Sequence, residues 1–162
     1  FPAISCCGAE NLKHQRRSMD AKSKLEEILR TQRFGVLATC GPDGPYQNIV
    51  AFAAASNLKR IIFATPRQTS KYRNLKSNRN SSIFIDDRRN SERDIGEATG
   101  ICVVGKASEL KGAKKLSAMK LYSAKHPVMK EFATSPGTAL FSLEVARYLM
   151  VSRFQNVVEI KP

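Results

Sequence analysis

The sequence predicts a mixed fold, mostly β with α, in which an antiparallel barrel or sheet carries its helices on the outside. Three observations lead there. Apolar runs of strand length recur at 34–40, 45–55, 61–65, 81–87 and 98–110. The first three are joined by tight turns, Gly41-Pro42-Asp43-Gly44 and Ser56-Asn57-Leu58-Lys59. A doubly wound parallel sheet needs a crossover helix between most of its strands, and these three leave no room for one.

Residues 1–18, FPAISCCGAENLKHQRRS, read as a leader ahead of a domain at 19–162, since Met19 looks like a natural start. The leader is expected to be poorly ordered. Ala3-Ile4-Ser5-Cys6 has the outline of a lipoprotein cleavage box, but it lacks the long apolar segment a signal peptide places before one. Asp20 to Gln32 then predicts a helix, with Leu25, Ile28 and Leu29 as its apolar stripe and Glu26 four residues before Arg30. Phe34–Cys40 and Pro45–Ala55 form a hairpin. Ser81–Asp87 alternates around Ile83 and Ile85 as a further strand, and Arg88–Gly96 is a polar loop. Ala98–Leu110 is a long strand in which Gly105 marks a bulge or a close approach. Gly112–Lys125 is an amphipathic helix with Leu116, Met119 and Tyr122 at helical spacing. His126-Pro127 ends it, and Val128–Phe132 makes a second, short helix. Thr138–Val145 and Tyr148–Phe154 are the closing strands, with Val157–Ile160 as a tail.

The stretch with the most chemistry is Arg60–Lys76. Ile61, Ile62, Phe63, Ala64 and Thr65 form a buried strand, and Pro66 stops it because proline has no N–H for a central ladder. Thr69 then suits the N-cap of a helix that sets Tyr72 and Leu75 on one face. Unpaired N–H groups and the positive dipole end of a helix start attract anions, and Ser70 and Lys71 add a hydroxyl and a charge. Two readings fit this local pattern: a phosphate cradle, or an ordinary capped helix with a solvated basic face.

Composition narrows the field. The 162 residues amount to one domain's worth, 42% hydrophobic, with no apolar run long enough to span a bilayer. The net charge of +13 raises nucleic acid or a membrane surface as partners. Lysines and arginines are nevertheless scattered along the chain without a dense block or a nucleic-acid motif, so a solvated basic surface is the better reading. Neither nucleic acid nor membrane is expected as a partner. Cys6, Cys7, Cys40 and Cys102 form no CxxC, and the histidines are His14 and His126, so no metal site is expected. Cys40 and Cys102 fall in strand segments and read as small buried residues. The absence of a disulfide framework fits a reducing cytoplasm.

The segments FGVLATCGPDGPYQNIVAFA, IIFATPRQTSKYRNLKSN, SSIFIDDRRN and GICVVGKASEL occur in that order. Their order and spacing resemble the pyridoxamine 5′-phosphate oxidase-like, FMN-binding split-barrel family, and within it the smaller, general-stress-type relatives. The resemblance spans about residues 20–160. It implies a six-stranded antiparallel split β-barrel with peripheral helices, paired as a homodimer, with FMN in a groove at the subunit interface. It sets Ala64, Thr65, Thr69, Ser70 and Lys71 on the segment that holds the flavin phosphate and ribityl chain. Lys71 falls on the phosphate lysine and Thr69 on a serine. Ser70 stands where the oxidases carry an arginine, with Arg67 or Arg73 near enough in sequence to compensate. Asn48 stands where a second-strand arginine would be, and the backbone of Ile49, Val50 and Ala51 would face the isoalloxazine ring. Thr99-Gly100 replaces a glutamine of the oxidases, and Arg153-Phe154 resembles their closing Arg-Phe pair. Asp86-Asp87-Arg88-Arg89-Asn90 resembles a segment of the general-stress relatives, read either as charges that position the next loop or subunit or as a solvated ion-pair cluster.

These features imply an FMN-binding oxidoreductase whose substrate is unassigned. The arginine and histidine set that grips pyridoxamine phosphate has no counterpart here, so a true pyridoxamine-phosphate oxidase is not expected. The flavin would carry the electron chemistry, and no catalytic side chain is assigned. The implied partners are a second copy of the chain and a small-molecule substrate or electron donor. The alternative is a non-catalytic carrier or sensor of flavin, deazaflavin or heme on the same scaffold. His126 is the in-domain histidine available for heme, but its place beside a proline fits a capping or loop role better.

Overall fold

The structure is a computed structural model describing the backbone of residues 7–152 and 156–162, with side chains from residue 19 onward. The element order is α1 (Cys7–Thr31), β1 (Phe34–Gly41), β2 (Gly44–Ala54), β3 (Arg60–Pro66), α2 (Ser70–Ser77), β4 (Asn80–Asp86), α3 (Asp94–Glu97), β5 (Thr99–Glu109), α4 (Gly112–Lys125), α5 (Lys130–Thr134), β6 (Thr138–Ser152) and β7 (Asn156–Ile160). A 3₁₀ turn, Pro127–Met129, joins α4 to α5.

All pairings are antiparallel. Hydrogen bonding runs in the order β3-β2-β1-β4-β5-β6-β7, and a β3–β6 pairing closes the first six strands into a barrel. The seventh strand pairs with the end of β6 and lies outside it. The hairpin turn works because Gly44 takes φ +103°, where a side chain would be strained. Leu37, Val50, Phe52, Ile61, Phe63, Ile83, Ile101, Val103, Phe141 and Tyr148 fill the barrel, and the α1 stripe of Leu25, Ile28 and Leu29 joins the same core. A second cluster lies outside the wall, where Ala51, Ala53, Ile62, Ala64 and Leu140 meet Ala118, Tyr122 and Ala133 of α4 and α5.

Several expectations change. The helix expected over Asp20–Gln32 is the end of the longer α1. Residues 1–6 of the expected leader lie outside the described residues, and so do Arg153 and Phe154. The two closing strands are one, β6, and the tail beyond them is a strand, β7. The polar loop after β4 contains one helical turn, α3. On α4, Leu116 is 69% exposed, because Ala118 and Tyr122, four residues apart, turn the buried face away from it. Cys40 is exposed and Cys102 half-buried, because both point outward from their strands.

Gly105 does lie at a bulge, although the extra residue is on the facing strand. Val104 pairs with Arg147 and Gly105 with Val145, leaving Ala146 unpaired. At this bend β6 leaves β3 and continues alongside β5 and β7. A Cβ on Gly105 would lie 2.1 Å from the Glu144 carbonyl oxygen. Gly105→Ala should therefore cost about 1–3 kcal/mol of stability, the usual cost of overpacking, read by chemical denaturation.

Candidate functional site

Strand β3 parts early from its hairpin partner. The two pair only at Phe52↔Phe63, Ala53↔Ile62 and Ala54↔Ile61. Continued, that register would set Ala64 against Ala51 and Thr65 against Val50. There β3 keeps only the neighbour on its other edge, β6, which it pairs along its whole length from Arg60↔Glu144 to Pro66↔Thr138. From Gly44 to Ala51, β2 pairs with β1 on one side, and no strand among the described residues pairs with its other edge. Polar backbone groups on such an edge need a partner from outside the sheet. The result is a fork, with the bare edge of β2 on one side and the end of β3 on the other. Helix α2 begins after the strap Arg67-Gln68-Thr69.

The start of α2 is held firmly. Thr69 is its N-cap: Oγ1 accepts from the Tyr72 amide at 3.3 Å and donates to the Pro66 carbonyl at 2.8 Å. The Thr65 hydroxyl lies 3.1 Å from it. Asn74, buried, donates from Nδ2 to Thr39 Oγ1 at 3.2 Å, and buried Leu75 completes the seat. The Ser70 and Lys71 amides precede the first carbonyl their own helix could offer, so they face outward at its positive end. Lys71 enters none of the ion pairs among the described residues. Arg73 folds back, donating to Ser70 Oγ at 3.0 Å and to the Gln68 carbonyl at 3.2 Å.

Arg67 is engaged elsewhere. Its guanidinium lies 2.7 Å from Glu109 Oε1 and donates to the Tyr72 hydroxyl at 2.9 Å. That hydroxyl donates to Glu109 Oε2 at 3.1 Å, and Lys76 Nζ stands 3.6 Å from the same oxygen. The Glu109 side chain is only 7% exposed. Burial alone would push its carboxyl up, but the hydrogen bonds from Arg67 and Tyr72 and the charges of Arg67 and Lys76 outweigh it and hold the carboxyl below its ordinary value.

The β2 candidates divide by face. Asn48 lies opposite Leu37 on the inward face, and its Oδ1 is buried without a hydrogen-bond partner. Ile49 points outward and is 72% exposed. Val50 belongs to the barrel core, and Ala51 and Ala64 pack under α4 and α5, so these three reach the fork through their backbones. All ten candidates thus border one feature, and Asn48, Ile49, Thr69, Ser70 and Lys71 have side chains not tied up in the core or in an ion pair.

Ile49 also starts a row across the outer face of the sheet. Register sets it opposite Val36, Val36 opposite Phe84, Phe84 opposite Cys102 and Cys102 opposite Leu149. Phe84 is 41% exposed and lies over Gly100, where a Cβ would come within 2.7 Å of the ring.

At the other end of β4, the charged segment positions its own loop. Asp86 pairs with Arg88 at 2.9 Å, while Asp87 accepts from the Thr99 amide at 2.7 Å and meets Lys24 at 3.1 Å. Thr99-Gly100 therefore serves this loop and the Phe84 contact. His126 caps α4, and its Nε2 sits 2.8 Å from the Phe52 carbonyl, so it is committed to the backbone. No cluster of metal-ligating side chains occurs among the described residues. No helix among them is long and apolar enough to cross a membrane.

The sequence pattern described as "Pyridoxamine 5′-phosphate oxidase" matches residues 21–152. The chain belongs to the pyridoxamine 5′-phosphate oxidase family. Solved structures agree in fold. A heme binding protein from Mycobacterium smegmatis superposes with a TM-score of 0.74 at 17% identity, over 83% of this chain and 55% of that one. The chain thus spans little more than half of that relative's length. General Stress Protein 26 from Bacillus anthracis str. Sterne gives 0.67 at 20% identity, over 88% and 98%. A FAD-binding protein from Mesorhizobium loti gives 0.64 at 15%, over 80% and 90%. No curated protein matches.

Within this family frame, the residues that sequence reasoning missed are Glu109, as the hub of the α2 network, and Asn74, as its anchor. Both stand in segments that carry the family resemblance, but each matters through a partner at least 30 residues away in the chain, which no local pattern reveals. The Glu109 carboxyl is held low in the folded chain, so its contribution is present above its unfolded pKa near 4.5 and fades as pH falls through the lower folded value. Glu109→Gln should flatten that acid limb in unfolding curves measured from pH 6 downward.

Proposed function

We propose that the chain binds FMN in the β2/β3 fork and acts as an oxidoreductase on a small molecule or electron donor. The observation that carries this reading is the parting of β2 and β3 beyond Phe52 and Phe63, followed in the chain by a capped, lysine-bearing helix start. The cradle residues fit a phosphomonoester: two free amides, the Ser70 hydroxyl and the Lys71 ammonium, on a turn held in place by the Thr69 cap. The edge from Asn48 to Ala51 offers amides and carbonyls to a planar ring. Bound there, the flavin would supply the redox chemistry, while these residues bind it, orient it and exclude water. The pyridoxamine-phosphate grip remains unfilled, so the substrate differs from that vitamin.

A second copy of the chain is the natural other wall of the fork. The outer row of Ile49, Val36, Phe84, Cys102 and Leu149 is apolar and joins the fork at Ile49. Burying it against its own symmetry mate would cover both the row and the flavin.

The alternative, a carrier or sensor without turnover, uses the same fork. The relatives described as heme-binding and FAD-binding show that the fold takes either kind of group in other proteins. The commitment of His126 to Phe52 favours flavin over heme here.

Freshly purified protein should be yellow, with absorbance near about 450 nm and no Soret band, and should bleach on reduction. A Soret band would support the heme alternative. Lys71→Ala should weaken FMN by about 1.5–3 kcal/mol, roughly tenfold or more, and leave riboflavin nearly unchanged in calorimetry. Light scattering at micromolar concentration should give twice the chain mass, and Phe84→Glu should shift it towards the monomer and release flavin.

A further inference from the structure

The network around Glu109 deepens the flavin reading, on which this inference rests. Arg67 is the cation next in sequence to the cradle, and it is paired at 2.7 Å with a carboxylate that is itself 7% exposed. The Tyr72 hydroxyl lies between the two side chains, and Arg67 also lies 5.6 Å from the Tyr72 ring centroid. Tyr72 belongs to the first turn of α2, and Glu109 is the last residue of β5. The carboxylate therefore ties the strap, the helix and the barrel wall together with the guanidinium turned towards it. A phosphate arriving at the amides of Ser70 and Lys71 would have to compete with a buried, doubly hydrogen-bonded carboxylate for Arg67.

We propose that Glu109 is a specificity-determining residue: by holding Arg67 out of the phosphate's reach, it limits how strongly the site prefers a phosphorylated flavin to an unphosphorylated one. Lys71 and the helix amides supply the phosphate grip, and Arg67 is an arginine in reserve. Its release strengthens binding of FMN and leaves riboflavin, which has no phosphate, unaffected. This differs from a purely structural role for Glu109, which would move both flavins together.

The test is calorimetric binding of FMN and of riboflavin to the full-length protein, freed of bound flavin, read as the ratio of the two dissociation constants. Thermal unfolding is run beside each variant. Glu109→Gln should raise the preference for FMN about tenfold, and Glu109→Gln combined with Arg67→Met should return it to the wild-type value. Glu109→Asp, which keeps the carboxylate, should stay near wild type. Arg67→Met alone should shift the ratio by less than about twofold, the result expected of a side chain not touching phosphate. An unchanged ratio in Glu109→Gln would overturn the inference, as would a gain that survives the second substitution. A selective FMN loss of tenfold or more in Arg67→Met would overturn it too, and this variant decides the matter if Glu109→Gln does not fold. Those outcomes leave the flavin reading standing. Binding of neither flavin by the wild-type protein would overturn both.

Discussion

Backbone hydrogen bonding is the constraint from which the rest of this molecule follows. A strand in a barrel wall must satisfy its amides and carbonyls on both sides. Strand β3 pairs with β6 along one edge from Arg60 to Pro66, but with β2 along the other only at Ile61–Phe63. Strand β6 is 15 residues long and bends at the bulge facing Gly105. Its first half closes the barrel on β3, and its second half runs on beside β5 and β7. Beyond Phe52 and Phe63 the edges of β2 and β3 that faced each other have no strand partner among the described residues, and α2 begins a short strap after the end of β3. Fold and site are therefore the same event: the barrel closes where β6 reaches β3, and it opens where β2 is abandoned.

Much of this architecture was legible from local pattern. Turn chemistry at Pro42-Asp43-Gly44 placed the hairpin, and the boundaries of α4 agree with its sequence period. Where the reading failed, a tertiary partner decided. Leu116 keeps helical spacing with Tyr122, yet the buried face follows Ala118 and Tyr122, which meet the outer wall of β2 and β3. The break assumed near Ala146 was a bulge, since a strand can absorb one unpaired residue without ending. The cysteines followed strand parity, which small residue size alone does not reveal.

The helix cap beside the candidate site was legible in the sequence, and the wiring around it was not. The N-cap at Thr69 came from residue type and spacing, and the structure shows it making the expected bond. The commitment of Arg67 did not, because its partner Glu109 lies 42 residues further on, at the end of a strand that sequence describes only as apolar and alternating. A cluster of cations in sequence is thus a poor guide to how many remain free. Of Arg67, Lys71, Arg73 and Lys76, only Lys71 is left without a side-chain partner among the described residues.

The bare flank of β2 has a further consequence for handling the protein. Asn48-Ile49-Val50-Ala51 is uncharged, free of proline and glycine, and rich in β-branched residues. Such a flank is a template for adding foreign strands, the starting step of fibril growth. An occupant of the fork, such as the flavin proposed above, would therefore also plug the molecule against self-association.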